Sequence, residues 1–417
     1  MFRLIFMAQA IVYLLLMPVI HGFMDPFYSP PLFVSIIAIG CLVAGFGLLK
    51  ILHPVSRFDP EMHPSAGISE LMPRGIAPFL IGILTLLYAF VSLSNGLWNR
   101  RQGSEFMADV YGNLPLVELA ILRIYEIVFI PAAVIYLFGK QSSASRFTMM
   151  LILLASLPFM GIQDSRGRIL VLSVSILSFV RIDSVRSFIV NNLKVLILVF
   201  LAVGVFIYVS VQRATSYARA EDYFFYEVVR RFDGLNLVSQ LRDSGYINYF
   251  GSFDLAMFGP LVSRIPFIEA GRFAKLEGVT STKQYFLKSI LNTGKIDDSN
   301  SMILDPLYFG GLVSVAIAFA ALGYFIAKFD RYVGEGRLFS SRTRLSLFLA
   351  FVTSFAIIEV DYFGTVTSFI QNFVILFPLL LVMLRRPQNS SNSFEPSAVV
   401  YDRRTNDQGV TWNVPAL

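Results

Sequence analysis

With 417 residues, 55% of them hydrophobic and only 15% charged, the chain has too little polar surface for a water-soluble fold, which usually carries about 25% charge. A mean hydropathy of +0.65 and 40 phenylalanines point to the bilayer as solvent. The net charge of +6 would suggest a nucleic-acid partner in a soluble protein, but here the cations fall between apolar runs, as in cytoplasmic loops, which argues against nucleic acid.

Ten apolar runs follow in chain order, at 4–22, 32–52, 76–95, 116–138, 147–163, 168–182, 193–211, 302–327, 345–363 and 366–384. A span needs about 20 residues, so the pattern predicts an all-α polytopic membrane protein of about ten transmembrane helices. The first run lacks a small-x-small cleavage site before Asp25 and is read as a retained span rather than a signal peptide. Arg3, Lys50, Arg57, Arg74, Lys140, Arg146, Arg181, Arg186, Lys194, Lys328, Arg331, Arg337, Arg342 and Arg344 fall on one side. The opposite short loops hold only Arg100, Arg101, Arg166 and Arg168. The excess of Lys and Arg marks the cytoplasmic side, so both termini are expected inside and residues 212–301 outside. The domain plan is therefore helices 1–7 over 1–211, a large extracytoplasmic loop over 212–301, helices 8–10 over 302–384, and a disordered cytoplasmic tail over 385–417. No internal repeat is seen.

The sixth run is short of apolar residues. Ile169 to Val180 cannot cross a ~30 Å core, so Gln163, Asp164, Ser165, Arg166, Gly167 and Arg168 are drawn to its outer edge. Charges at that depth are expensive and are usually kept for a purpose, although Arg166 and Arg168 could simply snorkel to the headgroups. The large loop chooses its cations unevenly. Residues 212–272 hold Arg213, Arg219, Arg230, Arg231, Arg242, Arg264 and Arg272 with no Lys, whereas 275–295 hold four Lys and no Arg. Arg offers a planar fork for phosphate oxygens and stays charged where water is scarce. The loop also holds ten acids, so some Arg must serve in ion pairs, such as Arg231 with Glu227. An amphipathic stretch, Glu221 to Leu241, and an interrupted apolar patch, Tyr249 to Ile268, are expected to lie at the interface.

Further charges sit inside or at the ends of the runs. Glu118, Arg123 and Glu126 share the fourth run, where a structural ion pair is the favoured reading, and Asp305, Glu359 and Asp361 mark outer ends. A lone cysteine, Cys41, excludes disulfides and thiolate metal sites, and His21, His53 and His63 form no metal-ligand cluster. No P-loop, GxGxxG after a strand, HExxH or GxSxG is present, so neither a cofactor nor a metal is expected.

The segment QDSRGRILVLSVSILSFV, Gln163 to Val180, resembles the Ser-Arg-Gly element that opens a span in the O-antigen polymerase and ligase superfamily. DPLYFGGLVSVAIAFAALGYFIAKFDR, Asp305 to Arg331, is similar to the aromatic and Gly-rich start of the span after the large loop of Wzy-type polymerases. The resemblance implies a GT-C-like, metal-independent glycosyltransferase of the bacterial inner membrane. Such an enzyme joins undecaprenyl-pyrophosphate-linked oligosaccharide units into a surface polysaccharide, with a chain-length regulator as a further partner. By that resemblance Arg166 is expected to be catalytic, and Arg213 with one or more of Arg219, Arg230 and Arg231 to contact the pyrophosphate. The residues themselves add Asp164 as a catalytic candidate, with Arg213 beside Arg166, and Arg168, Arg242 and Arg264 as further substrate-binding candidates. The ligase branch uses a histidine late in its loop, and none follows His63 here, which favours the polymerase and leaves the general base open. A ligase-like transferase and a transporter or flippase are the competing readings; a transporter would show repeat symmetry and short loops on both sides.

Overall fold

A computed structural model describes residues 2–52, 72–96, 114–138, 147–149, 151–152, 171, 174–175, 177, 225, 229–230, 232–251, 301–334, 341–355 and 362–385. In chain order these residues form α1 (Phe2–Ile11), a π-helical turn (Val12–Leu16), α2 (Met17–Met24), α3 (Leu32–Leu52), β1 (Met72–Pro73), α4 (Ala77–Ser94), α5 (Leu116–Phe138), α6 (Asn236–Asp243), α7 (Leu304–Gly334), α8 (Arg342–Phe355), α9 (Tyr362–Met383) and β2 (Leu384–Arg385). Among the described residues six helical stretches are long and apolar enough to cross a membrane: Phe2–Met24, Leu32–Leu52, Ala77–Ser94, Leu116–Tyr136, Leu304–Val333 and Gly364–Met383. They coincide with the expected spans. The chain is thus an all-α protein built for a bilayer. Its apolar coat agrees, with Leu86 at 72% and Val313 at 71% exposure on helices otherwise packed into a core. Of the expected fifth to seventh spans, only scattered residues between 147 and 177 are described, and the tail 386–417 lies outside the described residues.

The tightest packing joins α3 and α7. Gly45 lies against the backbone of Ala320 and Tyr324, and Gly323 against the carbonyl of Leu42, so a Cβ at either glycine would meet backbone rather than a yielding side chain. Apolar side chains gain little by leaving lipid for one another, so close backbone approach through small residues has to supply the attraction between helices. The register makes α3 and α7 parallel, with Phe33 beside Tyr249 at one end and Gly45 beside Tyr324 farther along. Antiparallel to them runs α1, whose Phe2 N–H donates to Asp330 Oδ1 at 3.2 Å while Arg3 pairs with Asp330 Oδ2 at 2.9 Å. The helices α8 and α9 complete the wall through Phe329–Phe348, Phe351–Phe369 and Phe355–Tyr362 edge contacts.

These registers bring Arg3, Lys50, Arg74, Lys328, Arg342 and Arg385 to one end of the bundle. That end is tied across by small polar links. Met72 and Pro73 pair antiparallel with Arg385 and Leu384, the Arg74 N–H donates to the Met383 carbonyl at 2.7 Å, and Arg342 Nη2 donates to the Leu384 carbonyl at 2.9 Å. The other end carries Asp25, Glu118, Asp233, Asp243 and Asp305.

The α3–α7 seam gives a direct test. Gly45→Leu or Gly323→Leu should force the helices apart, at about 1–3 kcal/mol or more for overpacking, and lose the folded species on size-exclusion chromatography in detergent. Gly40→Leu, where nothing lies within 4 Å of an added Cβ, should leave that profile unchanged. Equal behaviour of all three variants would show that this seam is not packed through its glycines.

Candidate functional site: a loop clamped to the acidic end

Two irregularities in the helices at the acidic end turn backbone groups away from the helical ladder toward partners elsewhere in the chain. The first lies in the π turn. Met17 N–H bonds to the Val12 carbonyl, five residues back. In that pattern the Tyr13 carbonyl would await residue 18, which is a proline and has no N–H. The Gly234 N–H donates to it instead, at 2.8 Å. The second is the break in α7 at Gly310 and Gly311, where Gly311 adopts φ +63°, a conformation suited to glycine. There the Leu312 N–H, at the start of a new helical segment, donates to the Tyr249 carbonyl at 2.9 Å. A Cβ on Gly311 would stand 2.5 Å from that same oxygen.

Both partners belong to one stretch, 232–251, inside the region expected to be a large extracytoplasmic loop with helices at the interface. That stretch is docked on the bundle. Asp233 is fully buried, and His21 Nδ1, on the last turn of α2, lies 2.7 Å from its Oδ2. With the carboxylate as acceptor, the ring donates from Nδ1. The other oxygen of Asp233 accepts the Leu235 N–H at 2.8 Å and so opens α6. Ser301 Oγ donates to the Gly234 carbonyl at 2.5 Å. The small residue at 234 is required, since a Cβ would meet Leu14 Cδ2 at 2.9 Å and the Tyr13 carbonyl at 3.0 Å. The α6 helix then buries Leu237, Val238 and Leu241, the apolar face anticipated for the stretch ending at Leu241.

Aromatic rings seal the clamp. Tyr28 stacks on His21 with centroids 3.9 Å apart, and Phe225 and the imidazole meet in a T-shaped contact at 5.4 Å. Burial, and after it the neighbouring Asp233 carboxylate, pushes the Tyr28 phenol well above its ordinary value, with the Arg242 charge pulling the other way. Tyr28 is therefore a neutral hydroxyl in contact with a buried acid–imidazole pair. Tyr249 is pushed up by burial and pulled down by Arg242, so the Arg242 guanidinium acts on both phenols.

Two of the expected substrate-binding arginines fall on described residues. Arg242 closes α6, half-exposed, with Nη2 at 2.7 Å and Nε at 2.8 Å from Asp243 Oδ1. Arg230 is half-buried in the short segment before the clamp. Asp164, Arg166, Arg168, Arg213, Arg219, Arg231 and Arg264 lie outside the described residues, as do Glu359 and Asp361. Asp305 is fully buried in the first turn of α7, close in sequence to the clamp serine. Glu118 accepts a hydrogen bond from Asn95 Nδ2 at 2.7 Å, which ties α4 to α5 at this end. The side chains of Arg123 and Glu126 are outside the described residues. No cluster of three metal-ligating side chains occurs among the described residues. His21 and Asp233 escape sequence reading because 212 positions separate them; the one local signal is Pro18, which announces an orphaned carbonyl in the first span.

No family model, curated protein or solved structure matches this chain.

His21→Ala should take one buried hydrogen bond from the Asp233 carboxylate. Losing a buried partner costs about 1–3 kcal/mol, which makes the loop open roughly 5- to 150-fold more often. Limited proteolysis of the detergent-solubilised protein should then cut the 232–251 region correspondingly faster. Gly311→Ala, which strikes the second anchor, should do the same. Cleavage at the unsubstituted rate in both would remove the clamp.

Proposed function

We propose that the chain is a bacterial inner-membrane polymerase, with cytoplasmic termini, that joins undecaprenyl-pyrophosphate-linked oligosaccharide repeat units into a surface polysaccharide. The observation that carries the reading is the clamp. The segment 232–251, which carries Arg242 and follows Arg230, is held against the end of the bundle beside the buried Asp233, which suits a substrate whose pyrophosphate lies at the headgroup layer and whose glycan lies in water. The tie at Leu312 falls within the Asp305–Arg331 segment that is similar to the span after the large loop of Wzy-type polymerases, so the docked stretch meets one of the two segments on which that resemblance rests.

In this reaction an acceptor sugar hydroxyl attacks the anomeric carbon of the donor glycan. The new glycosidic C–O bond forms as the bond to pyrophosphate breaks, and the pyrophosphate leaves with the bonding pair. Arg166 and Arg213 stabilise the charge growing on that leaving group, where fixed cations act far more strongly than in water. Arg168, Arg219, Arg230, Arg231, Arg242 and Arg264 bind the diphosphate and the acidic or hydroxyl-rich glycan around it. A carboxylate receives the hydroxyl proton as general base, with Asp164 the catalytic candidate beside Arg166 and Asp305, Glu359 and Asp361 the others at outer ends of the spans. The chemistry needs no metal or cofactor, because the donor arrives activated. A chain-length regulator is the partner expected to set when extension stops.

Arg166→Ala and Arg213→Ala should each lower chain extension by about 100- to 1,000-fold while the protein still inserts, leaving single repeat units on the acceptor when surface glycan is run on a gel. The Lys variants should also be impaired, because the bidentate fork is lost. Normal long-chain glycan in both Ala variants would refute the catalytic assignment, and full activity of the Lys variants would show that only charge matters.

A further inference from the structure

We propose that two aromatic turns at the acidic end, Asp25–Tyr28 and Asn248–Gly251, insert Phe27 and Phe250 into the bilayer interface, where the lipid headgroups meet the acyl chains. The partner is the lipid surface of the leaflet at that end, and the proposal stands whether or not the chain is a polymerase.

The two turns are built alike. In each, the side chain of the first residue accepts the N–H two residues on: Phe27 N–H donates to Asp25 Oδ1 at 3.0 Å, and Phe250 N–H to Asn248 Oδ1 at 3.1 Å. The carbonyl of the same residue accepts the N–H three residues on, from Tyr28 at 3.0 Å and from Gly251 at 3.2 Å. Asp and Asn favour such turns because their short side chains bond the nearby backbone. The amide of each phenylalanine is thus satisfied without water, the condition for entering a layer where water is scarce. The rings themselves face out. Phe27 is 97% exposed, Phe250 89%, and Phe23 on the last turn of α2 85%, the three most exposed large apolar side chains among the described residues.

Helix lengths set the depth of the turns. The 21 residues of α3 make about 32 Å at 1.5 Å per residue, a match to the ~30 Å hydrocarbon core. In α7 the part beyond the break, Leu312 to Val333, makes roughly 33 Å by the same rise. The two helices run parallel, so the edge of the hydrocarbon at the acidic end passes near Leu32 and Leu312. Tyr249 is fixed at that level from both sides: its carbonyl accepts the Leu312 N–H at 2.9 Å and its ring meets Phe33 at 4.9 Å. Phe250 follows directly. Phe27 lies in the turn between Met24, the end of α2, and Leu32, the start of α3, and the docked helix reaches the same turn where Ser239 Oγ donates to the Ser29 carbonyl. Apolar exposure continues from the turns along the spans, through Phe33 and Ile36 on α3 and Val313 and Ile317 on α7. The aromatic patch is therefore continuous with the face that the spans turn to lipid. Aromatic rings are favoured at this layer, with Asp25 and Asn248 left among the headgroups, whereas in water the same rings would form an apolar patch without a partner.

Fluorescence quenching in vesicles tests this. The chain holds two tryptophans, Trp98 and Trp412, so Trp98→Phe with Trp412→Phe lets Phe27→Trp or Phe250→Trp supply the single indole. The full-length protein is reconstituted in phosphatidylcholine vesicles whose acyl chains carry bromine either near the headgroup or near the chain end. Each indole should lose most of its fluorescence to the shallow bromine and little to the deep one, and iodide in the water should quench it less than it quenches N-acetyl-tryptophanamide. Stronger quenching by the deep bromine would place the turns in the hydrocarbon interior. Quenching by iodide alone would place them in water, and quenching by neither would mean that another part of the chain or a second copy covers them. Each of these three results would overturn the proposal. Either reporter decides alone if the other variant loses the size-exclusion profile of the unsubstituted protein.

Discussion

A bilayer offers no water to an unpaired backbone group, so a helix that breaks its own ladder inside or beside the membrane must be repaired by another part of the chain. This bundle breaks its ladder twice at the acidic end. Pro18 has no N–H to give the Tyr13 carbonyl in the π-helical register, and the Gly310–Gly311 break takes the Leu312 N–H out of the helical ladder. One segment, 232–251, supplies both missing groups through the Gly234 N–H and the Tyr249 carbonyl. The segment is thereby tied to the first and the eighth predicted spans at once, and the His21–Asp233 pair sits between the two ties. Placement of the loop follows from backbone hydrogen-bond demand, with the apolar face of α6 adding burial.

That constraint bears on function. A loop fixed at two points, with an acid–imidazole pair and a neutral tyrosine beneath it, holds Arg230 and Arg242 at the end of the bundle opposite the cluster of Arg3, Lys328 and Arg342. The molecule is polarised: one end carries cations tied by short backbone links, the other carboxylates, phenols and a docked loop. A glycan diphosphate is the proposed guest at the clamped end.

Much of this organisation was legible in the sequence because hydrophobic length is a strong signal. The runs at 32–52 and 116–138 match α3 and α5 residue for residue, and the first, third, eighth and tenth runs fall on helices with ends shifted by a few residues. Neither the break in α7 nor the docking of 232–251 was legible. A Gly-Gly pair in an apolar run reads equally well as close packing, and nothing local distinguishes Gly311 at φ +63° from Gly323 at a helix seam. His21 was set aside for lack of nearby metal ligands, whereas its partner is Asp233 across the fold. Pro18 was the missed clue, since the carbonyl it orphans had to be met from elsewhere. Of the expected site, Arg230 and Arg242 are placed on the loop by the structure, and Arg242 proves to share its charge with Asp243.

The clamp itself is most directly tested by amide hydrogen exchange at Gly234 and Leu312 in the detergent-solubilised protein. Bonds made to repair a helix in the membrane should protect both amides to the degree seen in the spans themselves. Exchange of either at the rate of an exposed loop would contradict the account, because the helix irregularities would then be left unpaired and the loop unanchored.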